Sequence, residues 1–258
     1  MTPKQFEQYL RWWKKTVKEC KDCGDRCVLP PEKKGRKMKI VQAQVKPITQ
    51  IDGEEALMLI QRVAKTCYKT HKDTDDFGSA IRIAKQLMAS GHHSMFEFYP
   101  IIMKYRSNIA AYKDLRTHRH STFAVESTRW CNYSKGKFGN EIAFLDPIEI
   151  PKDDIKYQVW LNGCQQAEQN YMDMMSMGAT PDQASLLLPQ STAAEFCVTA
   201  NLREWRHILA LRAVGTTGKP RPCVQQIMQP TLTLFAKKIP VLFDDLYEQM
   251  MQKQNQGR

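Results

Sequence analysis

Between Leu115 and Tyr133 the chain reads LRTHRHSTFAVESTRWCNY. Arg116, His118, Arg119, His120 and Arg129 stand there among Ser121, Thr122, Glu126, Ser127 and Thr128. A guanidinium is a planar fork of N–H donors that matches phosphate oxygens, and hydroxyls and backbone N–H groups complete such a cradle. So dense a polar set is wasteful in a core, because each buried polar group needs a partner. The stretch therefore reads either as a solvated basic loop or as a site for a phosphorylated, hydrogen-bonding ligand. Two more stretches carry the same chemistry: Gly91–Glu97, GHHSMFE, and Asn201–Arg212, NLREWRHILALR. Arg203 and His207 are four apart and share one face of a helix. Taken alone, they read as surface charge plus a cap.

The order of these residues adds a resemblance. His118-Arg119, seven residues and Ser127 resemble the Arg-His-Arg-x7-Ser signature of flavin-dependent thymidylate synthases, with Thr117 where the first Arg is usual. Glu126-Ser127-Thr128-Arg129-Trp130-Cys131-Asn132-Tyr133-Ser134 continues it. Gly91–Glu97 is similar to the family's Gly-His-x-Ser/Thr-x-Phe-Glu, and Asn201–His207 with Leu211-Arg212 to its Asn-x-Arg helix and Leu-Arg pair. The similarity runs over about 39–246. It implies an α+β fold with a small, mostly antiparallel sheet and several long helices. It also implies methylation of the C5 of dUMP, with FAD as cofactor and methylenetetrahydrofolate and NADPH as co-substrates, in a homotetramer whose sites are shared between subunits.

By that resemblance His92, Ser94, Glu97, His118, Arg119, Asn201, Arg203, His207 and Leu211 face FAD. Ser127 and Arg129 hold the nucleotide, with Glu126, Asp114 and Ser185 on the same side. Arg212 approaches the pyrimidine ring, where a guanidinium stabilises negative charge as C5 becomes nucleophilic. Ser127, between Glu126 and Arg129, suits hydrogen bonding to the nucleotide better than covalent attack. None of the eight cysteines occupies a family nucleophile position.

Four positions depart from the family pattern. Besides Thr117, Asp114 stands for a Gln and Ser185 for an Arg, and a His after Leu-Arg is absent. Lost arginines weaken an anion site unless Arg116, Lys219 or Arg221 compensate. Ionised Asp only accepts hydrogen bonds, so Asp114 at the base would favour the cytosine amino group. That keeps dCMP as an alternative substrate, and a hydroxymethyl product as an alternative outcome.

Composition narrows the setting. A net charge of +11 favours anionic partners: nucleotides, nucleic acid or polyglutamylated cofactors. No apolar run approaches the roughly 20 residues that span a bilayer, and MTPKQFEQYLRWWKK is no secretory signal. A cytoplasmic protein with reduced cysteines is expected. A nucleic-acid-binding relative without catalysis is the other class of reading, since Trp12 and Trp13 beside Lys14 and Lys15 offer stacking and charge. Within the pyrimidine-nucleotide reading, nucleic acid is not expected as a partner.

Which elements must position these groups? Residues 1–37 read as a basic, cysteine-containing extension, with Phe6, Leu10, Trp13 and Val17 at helical spacing and a basic linker from Pro30. Cys20, Cys23 and Cys27 have zinc-like gaps, but a structural site wants four ligands and only three are local. Residues 38–258 are expected to form the domain that resembles flavin-dependent thymidylate synthases. The spacing predicts strands over 38–45, 96–105 and within 138–150. It predicts helices over 54–68, 79–90 with Gly91 as terminator, 108–116, 155–177, 195–211 and from 224, the last interrupted at Pro240. Thr180-Pro181-Asp182-Gln183 predicts a capped helix start.

Overall fold

The computed structural model describes residues 38–69 and 76–256. The expected N-terminal helix, the basic linker and the cysteine triplet Cys20, Cys23 and Cys27 lie outside the described residues.

In chain order the elements are β1 (Lys39–Val41), β2 (Gln44–Pro47), α1 (Gly53–Tyr68), α2 (Phe77–Ala89), β3 (Pro100–Asn108), α3 (Ile109–Leu115), β4 (Ser121–Val125), β5 (Ala143–Leu145), α4 (Ile155–Ser176), α5 (Pro181–Ser185), β6 (Ala193–Asn201), α6 (Leu202–Leu209), α7 (Pro222–Lys238) and α8 (Pro240–Gln256). The fold is α+β. Its main sheet is antiparallel in the order β2-β3-β6-β4, and β1 pairs with β5 in a small parallel ribbon.

The sheet exists because β3 and β6 alternate. Ile101, Met103 and Tyr105 point inward from β3, and Ala200, Val198 and Phe196 lie opposite them on β6. Burying side chains of this size contributes about 1.5–3 kcal/mol each. This row packs against α1, α2, α3, α6, α7 and α8 in the main core. A second, smaller core joins Met38, Tyr133, Ile142, Phe144, Cys164, Tyr171 and Ala184 around α4.

Helix ends follow local chemistry. Asp52 accepts from the N–H groups of Glu54 and Glu55, Asp76 from Ser79, and Thr180 and Gln183 form a reciprocal capping box. After α2, His92 N–H bonds to Leu87 O and Gly91 N–H to Met88 O, with Gly91 at φ 73°. This left-handed turn is why glycine stands there, and it delivers His92.

Three expectations need correction. The helix expected over 195–211 is β6 followed by α6. Glu195–Ala200 alternates with period two, and Asn201 is the N-cap, accepting from Glu204 N–H at 2.9 Å, not a residue on the helix. The strand expected from Phe96 starts at Pro100, because His93–Phe98 forms 3₁₀ turns that bury Phe96. The strand expected over 38–45 is two strands in two sheets, parted at Gln42-Ala43.

Among the described residues no helix is long and apolar enough to cross a membrane. Cys67, Cys131, Cys164, Cys197 and Cys223 are free thiols.

Candidate active site

The sheet topology gathers the three chemistry-bearing stretches. Pro100 and Ser121, the first residues of β3 and β4, lie beside Asn201 and Ala200 at the end of β6. The segments His92–Glu97 and Thr117–His120 therefore enter at the sheet end where α6 begins. His92, Ser94, Glu97, Arg119, His120, Arg203 and His207 are all exposed there. Arg203 Nη1 donates to Glu97 Oε1 at 2.5 Å, tying the first turn of α6 to the 3₁₀ segment. α6 itself is anchored by buried Trp205, whose Nε1–H donates to Ile101 O at 3.1 Å.

His118 is the buried member of this group, 5% exposed. Its Nε2 accepts from Arg212 Nε at 3.1 Å, and its Nδ1 lies 3.5 Å from Glu204 Oε1. Burial, with the charge of Arg212 and the neighbouring His207, pushes the imidazole down to about 4. It is therefore neutral near pH 7, which leaves Nε2 free to accept. Burial also raises the carboxyl of Glu204. Glu204, absent from the sequence-derived set, was signalled by the Asn-x-x-Glu spacing of a helix start.

Arg212 projects from a widened π-type turn, Ala210–Val214, that also contains Leu211. Such turns often mark functional positions in helices. Its Nη2 donates to Asp114 O at 3.2 Å and to Thr117 Oγ1 at 3.1 Å, and the Thr117 hydroxyl donates to Asp114 O at 2.7 Å. Thr117, at the position where the family usually has an arginine, thus helps fix the guanidinium of Arg212. The carboxylate of Asp114 faces Arg221 Nε at 3.2 Å. The loop after Arg212 is closed by Lys253, which donates to Val214 O and Gly215 O.

The other residues expected on the nucleotide side sit elsewhere. Glu126 N–H bonds to Glu195 O at 2.9 Å, at the start of β6. Its carboxylate accepts from Tyr133 Oη at 2.8 Å and from Glu195 N–H at 3.3 Å. Those bonds give Glu126 a structural task. Burial and the charge of Glu126 raise the Tyr133 phenol. Ser127 O accepts from Trp130 and Cys131 N–H, turning the loop. Arg129 pairs with Asp182 on α5 at 3.0 Å, both exposed, and Ser185 Oγ bonds to Asp182 O at 2.7 Å. β4, Ser121–Val125, is four strand steps of about 3.3 Å, so its ends lie roughly 13 Å apart, with Thr117–His120 before the first and Glu126–Ser127 after the second.

This α+β sheet, with its histidine- and arginine-lined end, is that of a known class. Residues 49–241 match the thymidylate synthase complementing protein family, and the chain belongs to that family. Flavin-dependent thymidylate synthases are among its relatives. That of Thermococcus onnurineus is 26% identical over 130 residues, covering 50% of this chain and 52% of that protein. That of Corynebacterium aurimucosum is 23% identical over 212 residues, covering 76% and 82%. The chain thus spans about half the length of the archaeal relatives it matches. The solved UMP/dUMP methylase PolB from Streptomyces cacaoi, bound with 5-Br dUMP, shares the fold with a TM-score of 0.64, at 21% identity, covering 80% of this chain and 96% of that one.

Proposed function

We propose that this protein is a flavin-dependent C5 methylase of a pyrimidine deoxynucleotide, with dUMP as substrate and dTMP as product. The observation that carries the reading is the meeting of His92–Glu97, Thr117–His120 and Asn201–Arg212 at one sheet end, with Arg212 held by a neutral His118. The donor set suits FAD. Arg119 is an exposed guanidinium that can take a diphosphate, His92, His207 and Ser94 add donors, and Glu97 orients Arg203. Ser121 Oγ, at the same end, is buried without a hydrogen-bond partner among the described residues, so a bound group there would satisfy it. Asn201 contributes through the cap that sets the direction of α6, and Leu211 through the π-type turn.

When bound, the reduced flavin supplies the hydride, methylenetetrahydrofolate the one-carbon unit and NADPH the reducing equivalents. The chain's own task is positioning and charge. The bonds from Arg212 to the protein use Nε and Nη2, so Nη1 is the edge offered to the pyrimidine. A guanidinium fixed there before reaction stabilises negative charge that develops on the ring. Ser127 hydrogen-bonds the nucleotide, and Arg129 adds positive charge to the same loop.

Arg212 bonds Thr117 and His118 in the segment before β4, and Ser127 follows β4. The family resemblance implies a homotetramer in which each site takes residues from different subunits, and the strand that separates the two groups is consistent with such sharing. The dUMP reading is favoured over the cytosine alternative because the Asp114 carboxylate faces Arg221, a partner the cytosine amino group would have to share. The test is product mass with FAD, NADPH and methylenetetrahydrofolate, offering dUMP and dCMP separately. A gain of one methyl group on dUMP alone is expected; no gain on dUMP, or a hydroxymethyl gain, would sink the reading.

A further inference from the structure

Arg221 lies outside the signature segments. It is the N-cap of α7 with φ −60° and ψ 142°, and it makes no side-chain capping bond. A cation is the wrong charge for a helix N-terminus, where the dipole and unpaired N–H groups favour Asp, Ser or an anion. Capping therefore does not account for an arginine here. What its side chain does instead is meet Asp114, with Nε 3.2 Å from Oδ2, while the guanidinium stays 57% exposed by side chain. The backbone carbonyl of the same Asp114 holds Arg212. One aspartate thus draws two guanidiniums to one place, from two segments nine positions apart.

Arg212 and Arg221 are cationic, His118 is neutral, and Asp114 is the one carboxylate that either arginine contacts among the described residues. Arg116 adds a third cation next to Thr117, lying over the Tyr112 ring. The loop between the two arginines is also built. Gly215, at φ 73°, packs so closely that an added Cβ would meet Gly218 O at 2.8 Å and Pro220 Cδ at 2.9 Å. Lys253 ties its start to α8.

We propose that Arg221, tethered by Asp114, is the second guanidinium of the nucleotide site, and that with Arg212 it binds an oxygen acceptor of the pyrimidine nucleotide. That acceptor is either a phosphate oxygen or a ring carbonyl. The inference rests on the reading of Arg212 given above, and it assigns Asp114 to positioning and not to base recognition.

The test is calorimetric binding to the flavin-loaded protein, with dUMP and with deoxyuridine, for wild type, Arg221→Ala, Arg221→Lys and Asp114→Asn. Arg221→Ala is expected to weaken dUMP about 10- to 100-fold, the effect of removing one charge-assisted contact. Flavin content and the urea midpoint should hold. Arg221→Lys should recover part of the loss, and Asp114→Asn, which frees the arginine without removing it, should lose only several-fold. If the Arg221→Ala loss persists with deoxyuridine the acceptor is on the ring; if it vanishes the acceptor is the phosphate; either supports the proposal. Wild-type affinity in Arg221→Ala, within a factor of two, overturns it while leaving the methylase reading intact. Wild-type protein that carries flavin but binds neither ligand overturns both.

Discussion

The neutral state of His118 makes a prediction that needs no substrate. Its proton affinity falls from an ordinary 6.5 to about 4 through burial, the charge of Arg212 and the proximity of His207. The unfolded chain then binds a proton that the folded protein refuses. By linkage the stability contributed is complete above pH 6.5 and is lost as pH falls towards 4. At pH 5 the unfolded imidazole is almost fully charged and the folded one is charged in only about a tenth of molecules, a loss of about 2 kcal/mol relative to pH 7. Glu204 works in the opposite direction, since burial raises its carboxyl. The comparison is therefore made between wild type and His118→Gln, whose amide oxygen can still accept from Arg212. Urea unfolding at pH 7 and pH 5, at one protein concentration, should show wild type losing about 2 kcal/mol more than the variant. Parallel losses in the two proteins, or a charged imidazole by ¹⁵N NMR at pH 6, would refute the claim that His118 is a neutral acceptor.

Three other outcomes are expected. Arg203→Ala should lower the flavin-to-protein ratio several-fold by absorbance while moving the urea midpoint little, because exposed pairs such as Arg203–Glu97 contribute about 0–1 kcal/mol. Gly215→Ala should cost about 1–3 kcal/mol in chemical unfolding, from positive φ and from backbone contact at 2.8 Å. Mixing inactive Arg212→Ala protein with inactive Ser127→Ala protein, after mild dissociation and reassembly, should restore a measurable fraction of activity; none would mean that each chain completes its own site.

Legibility in the sequence followed the physics of each segment. Helices with amphipathic spacing and cap residues, such as α1, α2 and α4, were readable because their signals are local. β6 was not: it runs directly into α6 without a glycine or proline between them, and helical residues on one side concealed period-two alternation on the other. Only its neighbours, β3 and β4, make that alternation favourable, and their paired residues lie about 70 to 100 positions earlier in the sequence. The candidate site divides in the same way. The spacing of His118, Arg119, Arg203 and Arg212 announced an anion-binding surface. It did not announce that Thr117 accepts from Arg212, or that Asp114 holds Arg221, because those bonds join segments that meet only in the fold. Residues that break a family pattern are thus poor evidence of loss when read singly. Thr117, read from sequence as a lost arginine, and Asp114, read as a change of base preference, act in the folded chain as the groups that meet Arg212 and Arg221.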